Sequence, residues 1–164
     1  MTEKQCAVVQ CPCNPQRHFA SCCEPYLTGQ QVPELPEALM RSRYTAYTIA
    51  NIDYIQQTMR GKALSGFQAT TAARWAKKVT WIALDVMHAV VESPTKGTVE
   101  FEARFIEGNR LKSMHERSEF VREAGRWYYV DGEHLPARFA EHIVSRNMLC
   151  PCGSQRKFKN CHGV

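Results

Sequence analysis

Eight side chains in this sequence fall into two sets whose spacing suits metal capture. Near the start, "CPCNPQRHFASCC" carries Cys11, Cys13, Cys22 and Cys23; at the end, "CPCGSQRKFKNCH" carries Cys150, Cys152, Cys161 and His162. Both follow one template: Cys-Pro-Cys, eight further residues, then Cys followed by Cys or His. A Cys-x-Cys pair grips one ion when its middle residue favours a turn. Pro12 and Pro151 have φ preset and no amide proton to satisfy. Asn14 and Gly153 follow, residue types that tolerate a left-handed backbone where the chain folds over a metal. Eight residues suffice for a looped or short helical return, and the adjacent pair then supplies the last two ligands. Four soft or borderline donors suit tetrahedral zinc at both sites, and thiolates also accept iron. A disulfide framework would leave His162 without a role, and cysteines scattered through a core as small hydrophobes would not repeat the spacing. Cys6 belongs to neither set.

The bulk numbers bound what lies between. With 164 residues, 44% hydrophobic and 23% charged, the chain has the composition of a folded protein with one ordinary core and small appendages. No apolar run nears the roughly 20 residues of a membrane span. The start, "MTEKQCAVVQCPC", lacks the basic-then-apolar order of a secretory signal. The expectation is a cytoplasmic protein, where clustered thiols stay reduced and serve as metal ligands. The formal net charge of +5 counts neutral cysteines. Four thiolates around a dication carry about −2 and three with a neutral His about −1, so the loaded chain would sit near about +2. Global charge is therefore a weak argument for nucleic acid, and DNA is not expected as a partner.

The middle reads as helices followed by strands. "PELPEALMRSRYTAYTIAN" puts Leu39, Met40, Tyr44 and Tyr47 at helical spacing. Asp53 is placed to cap a short helix over "YIQQTM". "RGKALSG" reads as loop, and "GFQATTAARWAKK" as a third helix with Phe67 and Trp75 inward. After Lys78 the period drops to two. "VTWIALDVMHAVV" is β-branched and aromatic, and "TVEFEARFI" alternates Val99, Phe101, Ala103 and Phe105 against Glu100, Glu102 and Arg104. "EGNR" and "EAGR" turn the chain into "LKSMHERSEFV" and "WYYVDG". This order indicates an α+β fold, a curved antiparallel sheet wrapped around N-terminal helices with a metal knuckle at each terminus.

Register brings a second group of residues together. A loop at Gly108-Asn109 pairs Phe101 with Glu116 and Ala103 with Met114; one at Ala124-Gly125 sets Tyr129 beside Phe120 and Asp131 beside Ser118. Glu116, Ser118 and Asp131 then face the apolar side, whereas a one-residue slip would turn them outward and bring in His115. Two inward carboxylates can form an acid/base pair, because burial and mutual repulsion raise one pKa. They can also be structural, bridged to Arg41 and Arg43 of "MRSRY", since buried carboxylates need partners. The structural arrangement is the expectation. Tyr44 and Tyr47 are placed to line the same cavity, and His88 is a strand-face residue.

The C-x-C-x8-C-[CH] template resembles the SEC-C motif, the small zinc-binding tail of the SecA translocation motor. A copy at each end, with "LMRSRYTAY", "ERSEF" and "WYYVDG" between, resembles the YchJ-like bacterial family over nearly the whole chain. The resemblance implies an N-terminal knuckle over 1–30, a middle domain over 33–140 with the cone fold of nuclear transport factor two, and a C-terminal knuckle over 145–164. It implies no activity. The SecA tail contacts the chaperone SecB and is linked to the ribosome, so the resemblance implies a protein or ribosomal partner. Residues 143–164 hold Arg146, Arg156, Lys157 and Lys159, with Phe158 among them and no Asp or Glu. Such a face would attract an acidic protein surface or RNA phosphates, and reads equally as a solvated basic tail. The N-terminal loop keeps Arg17 and His18 and gains Glu24, so its surface differs.

These observations point to a zinc-binding interaction protein rather than an enzyme. No nucleophile pairs with a base at a recognisable spacing, and no glycine loop cradles a phosphate. Each set of four ligands closes its metal, which marks a structural site. Two alternatives stay open: small-molecule binding or catalysis in the cone pocket through Glu116 and Asp131, and labile iron or zinc or thiol homeostasis at the Cys-x-Cys sites. RNA binding would rest on the C-terminal set alone and show steep salt dependence.

Overall fold

Two short strands, β1 (Gln10–Cys11) and β2 (Asn14–His18), open the computed structural model, which describes residues 9–163. Cys6 lies outside the described residues. A 3-10 turn at Phe19–Ser21 and helix α1 (Glu24–Leu27) complete the first module. Helix α2 (Pro36–Thr48) starts behind an extended Leu35 with Pro36 in its first turn, where the missing amide proton costs nothing. It stops at Ala50, which takes a left-handed φ of 53°, while the Asn51 amide donates to Ala46 O at 2.8 Å. Asn51 then caps helix α3 (Ile52–Gln57), its side-chain oxygen accepting from the Tyr54 amide at 3.2 Å. Asp53, the expected cap, lies inside the first turn instead, because the left-handed turn at Ala50 already leaves Asn51 at the helix mouth.

Helix α4 (Gly61–Ser65) occupies the segment expected as loop. Its two glycines read as breakers, yet Gly61, at φ 55°, only reverses the chain into the helix. The turn is then held from outside: the Arg60 amide donates to Tyr129 O at 2.9 Å and Lys62 Nζ reaches Asp131 at 2.7 Å. Helix α5 (Ala69–Lys78) closes the layer with Lys77 and Lys78 at its negative end.

The sheet follows as a meander of β3 (Thr80–Ser93), β4 (Lys96–Glu107), β5 (Arg110–Glu123) and β6 (Arg126–Leu135), antiparallel in that order. A short β7 (His142–Ile143) pairs with Arg110 and Leu111 at the start of β5. Gly108 at φ 65°, and Ala124 and Gly125 at 48° and 79°, supply the left-handed residues that tight hairpins require. Three irregularities along β3 bend the sheet around the helices. Phe101 pairs with Glu116 and Ala103 with Met114, as the alternation predicts.

The inner face, with Val99, Phe101, Ala103 and Phe120, packs on Leu39, Met40, Tyr44 and Ile55. Ile82, Ile106, Leu111 and Val144 make a smaller cluster on the outer face. Glu102 also points outward but is fully buried, because the segment after β6 lies over it: the Arg138 amide donates to its Oε1 at 3.2 Å and Phe139 stacks on Arg104. Among the described residues no helix is long and apolar enough to cross a membrane.

Candidate metal centres

The two modules repeat one backbone scaffold. In the first, Gln10 pairs with His18, the Phe19 amide donates to Val9 O at 2.9 Å, and the Cys22 amide donates to Phe19 O at 3.1 Å. In the last, Leu149 pairs with Lys157, the Phe158 amide donates to Met148 O at 2.8 Å, and the Cys161 amide donates to Phe158 O at 3.0 Å. A 3-10 turn, Phe19–Ser21 or Phe158–Asn160, leads into the third ligand each time. These bonds return the chain so that the adjacent pair faces Cys-Pro-Cys.

The ligand atoms of each set lie within 4.8 Å of one another. In the first set the sulfurs of Cys11 and Cys13 are 3.5 Å apart, Cys13 lies 3.6 Å from both Cys22 and Cys23, and Cys22 and Cys23 are 4.0 Å apart. Metal–sulfur bonds of about 2.3 Å in a tetrahedron place sulfurs about 3.8 Å apart, so the donor set fits one ion. In the second set Cys152 and Cys161 are 3.6 Å apart, and the Nδ1 of His162 lies 3.2 Å from Cys150 Sγ and 3.3 Å from Cys161 Sγ. His162 therefore offers its δ nitrogen. Each cluster can hold a metal ion.

Their electrostatics suit uptake of a cation. Hydrogen bonding to Cys11, with burial, pushes the Cys13 thiol up to about 12, and bonds to Cys11 and Cys13 push Cys23 further up. The same shared protons from Cys13 and Cys23 pull the Cys11 thiol far down. Burial raises Cys150 to about 11. Burial and the neighbouring Arg156 lower the His162 pKa, which keeps the imidazole neutral and ready to ligate. A dication replaces several shared protons at once.

The surroundings of the two sets differ. Cys11, Cys13 and Cys23 are at most 2% exposed and belong to the main core. Helix α2 holds them: Thr45 Oγ1 donates to Cys23 Sγ at 3.3 Å, and Arg41 Nη1 donates to Cys13 O at 3.2 Å. Thr45 carried no sequence signal, since a lone helix threonine has many roles. The C-terminal module instead sits on the outer face of the sheet, with Cys152 and Phe158 against the small cluster and Arg104 Nη1 donating to Pro151 O at 3.3 Å. Cys152, Cys161 and His162 stay half-buried. Among the described residues one knuckle packs on α2 and the other on the outer face of the sheet.

The second group of candidates assembles only in part. A cavity of about 290 Å³ on the inner face is lined by Glu116, Ser118 and Arg43, and by Tyr44 and Tyr47 as expected. Ser118 Oγ donates to Glu116 Oε1 at 2.7 Å, and Tyr129 Oη donates to the same oxygen at 3.0 Å. Asp131 does not join them. A bulge between β5 and β6 leaves Val130 unpaired, so Asp131 pairs with Glu119 and turns outward, where the ammonium of Lys62 holds its pKa down. Gly132 takes the place opposite Ser118, and a Cβ there would collide with Glu116 Oε1 and Tyr129 Oη.

Neither arginine bridges a carboxylate of the cavity. Two residues apart on a helix, they point to opposite sides. Arg41 pairs with Glu37 at 2.8 Å and serves the N-terminal knuckle. Arg43 enters the cavity wall, donating to Ile55 O at 2.8 Å and Thr58 Oγ1 at 2.6 Å beneath the Tyr129 ring. His115 faces out and bonds Glu100 at 2.9 Å, so the register did not slip, and His88 is exposed on its strand. Tyr129 pairs with Phe120 as the turn at Ala124-Gly125 predicts and lines the cavity, whereas His134 was missed there because the bulge, which no residue type announced, sets its facing.

A curved sheet around helices, with a four-ligand cysteine-rich knuckle at each end, defines a cone-fold protein carrying SEC-C-type modules. Residues 35–132 match the family model described as the YchJ middle NTF2-like domain, and residues 146–163 match the SEC-C motif. The chain belongs to the YchJ-like family of UPF0225 proteins. It is 37% identical to a UPF0225 protein of Serratia proteamaculans over 93% of this chain and 97% of that one. A UPF0225 protein of Geobacter sulfurreducens is likewise 37% identical, over 94% and 98%. The solution structure of a SEC-C motif protein from Rhodopseudomonas palustris superposes with a TM-score of 0.71 at 36% identity, covering 78% of this chain and all of that one. A crystal structure of a SEC-C motif protein from Psychrobacter arcticus gives 0.66 at 30% identity, covering 94% and 95%.

Proposed function

We propose that this chain is a zinc-organised cytoplasmic adaptor. In this reading the N-terminal zinc is a structural part of the cone and the C-terminal knuckle is the docking surface. The observation that carries it is the asymmetry of two similarly spaced sets, the first with three of its four cysteines buried in the main core and the second with only Cys150 buried. Closed sets of four thiolates, or of three thiolates and an imidazole, favour zinc over metals that need an open position. Around the displayed set, Arg146, Arg156 and Lys157 are exposed beside Ile143, Met148 and Leu149, which are 55%, 45% and 66% exposed. Leu149 and Lys157 are cross-strand neighbours, so charge and apolar area alternate on one patch. Such a patch matches an acidic protein surface with apolar inlets better than an RNA backbone, which has no use for the leucine. A SecB-type chaperone is the first partner to try by the SEC-C resemblance.

Calorimetric titration of the zinc-loaded protein into purified SecB-type chaperone tests the reading. Binding should be lost on Leu149→Asp and weakened at least tenfold by Arg156→Glu with Lys157→Glu. Binding untouched by both variants would contradict it. Tight binding to ribosomal RNA with a steep salt slope, and none to the chaperone, would replace the protein partner by RNA.

A further inference from the structure

Two opposite charges are buried in the wall of the cone cavity and do not meet. Glu116 and Arg43 are each 7% exposed, and both line the same space of about 290 Å³. Arg43 Nη1 is satisfied by neutral partners, Ile55 O and Thr58 Oγ1, and its guanidinium stands 4.7 Å from the Tyr129 ring centroid. Glu116 Oε1 takes the hydroxyls of Ser118 and Tyr129, whereas Oε2 has only His134 Nδ1, at 3.9 Å and beyond hydrogen-bond reach. Among the described residues no Arg43–Glu116 ion pair forms within 4.0 Å. Buried charges are costly until something closes the circuit between them.

The rest of the wall is aromatic. Trp75 and Trp81 meet edge to face at 5.0 Å, and Tyr44 meets Trp81 at 5.3 Å. Tyr47 packs on both tryptophans, at 5.9 and 6.0 Å. Such rings favour a flat π-face in preference to a branched aliphatic group. The volume equals about ten water-sized groups at about 30 Å³ each. Gly132, having no side chain, leaves room for Glu116 Oε1 and Tyr129 Oη to meet, and a groove along α4 and α5 shares Tyr47, Met59, Trp75 and Tyr129 with the cavity, giving a route from solvent.

We propose that the cone cavity binds a small planar aromatic molecule carrying a hydrogen-bond donor and an acceptor on one edge, the donor meeting Glu116 and the acceptor Arg43. An aromatic amide is the simplest representative. A hydrocarbon would strand both charges. An anion would oppose Glu116, and a cation would oppose Arg43. The site does not depend on what docks on the C-terminal knuckle.

Trp75 and Trp81 report on the site directly. Intrinsic fluorescence of the metal-loaded protein, titrated with benzamide, should change saturably at millimolar concentration, with benzoate and benzylamine at least tenfold weaker. Glu116→Gln, which keeps the volume and removes the charge opposing an anion, should invert the order so that benzoate binds at least as well as benzamide. Ala103→Leu, which fills the cavity and leaves both charges, should abolish the response to all three probes while near-ultraviolet circular dichroism stays native. No saturable response to benzamide would overturn the proposal. So would equal affinity for the three probes, or a benzamide response that survives Ala103→Leu.

Discussion

Serine in place of Cys13 should lower the melting temperature of the whole cone, whereas serine in place of Cys161 should lower it by clearly less. Cys13 is 2% exposed and stands in one apolar cluster with Leu39, Met40 and Tyr44. Losing that ligand releases the fold of the first module, and with it Phe19, Tyr26 and Leu27, which pack partly buried against the cluster. Half the full-burial value for each of three side chains amounts to about 2–4.5 kcal/mol. At about 2–4 °C per kcal/mol for a chain of this size, the melting temperature falls by about 4–18 °C. Around Cys161 the one large side chain resting on the small cluster is Phe158, so the same arithmetic gives about 0.75–1.5 kcal/mol and about 1.5–6 °C. Scanning calorimetry on zinc-loaded wild type and both variants at equal concentration measures the two shifts. Equal shifts, or a larger one for Cys161→Ser, would refute the claim that one knuckle is core and the other is display.

Gly132→Ala should destabilise the cone by about 2–4 kcal/mol in urea denaturation, because the added methyl displaces Glu116 or Tyr129 from a buried bond. Metal affinity measured by chelator competition should rise more than tenfold per pH unit between pH 6 and 8, since Cys13 and Cys150, pushed up to about 12 and about 11, must give up protons to bind. Lys112 and Lys78 hold the Glu107 carboxyl down from 4.5 to about 2. Being depressed in the fold, that group favours the folded state above the ordinary carboxylate range, and its contribution is lost as pH falls toward about 2. A carbon-detected titration of Lys112→Ala should show the Glu107 pKa moving back up.

Much of this could be read from local rules. The two cysteine-rich clusters were legible because their assembly depends on spacing over a dozen residues. The sheet register was legible because Gly108-Asn109 and Ala124-Gly125 are tight turns that leave no freedom in the pairing of β4 with β5 or at the start of β6. What failed was set by distant contacts. The bulge at Val130 adds one residue and reverses the facing of Asp131, which removes the carboxylate pair that strict alternation places in the cavity. Helix α4 is too short and glycine-flanked to announce itself, and its first turn is held from outside by Tyr129 and Asp131. The burial of Glu102 follows from a covering segment more than thirty residues later in the chain. The different settings of two near-identical knuckles were likewise invisible, since they follow from what α2 and Arg104 offer them.

The central claim is that each end folds around its own metal ion. Elemental analysis of protein purified without added metal or affinity tag, beside Cys11→Ser and Cys150→Ser, tests it most directly. Two zinc equivalents per chain, falling to one in each variant, are the predicted result. Substantial iron, fewer than two equivalents with freely titrating thiols, or loss of both ions from a single substitution would contradict it.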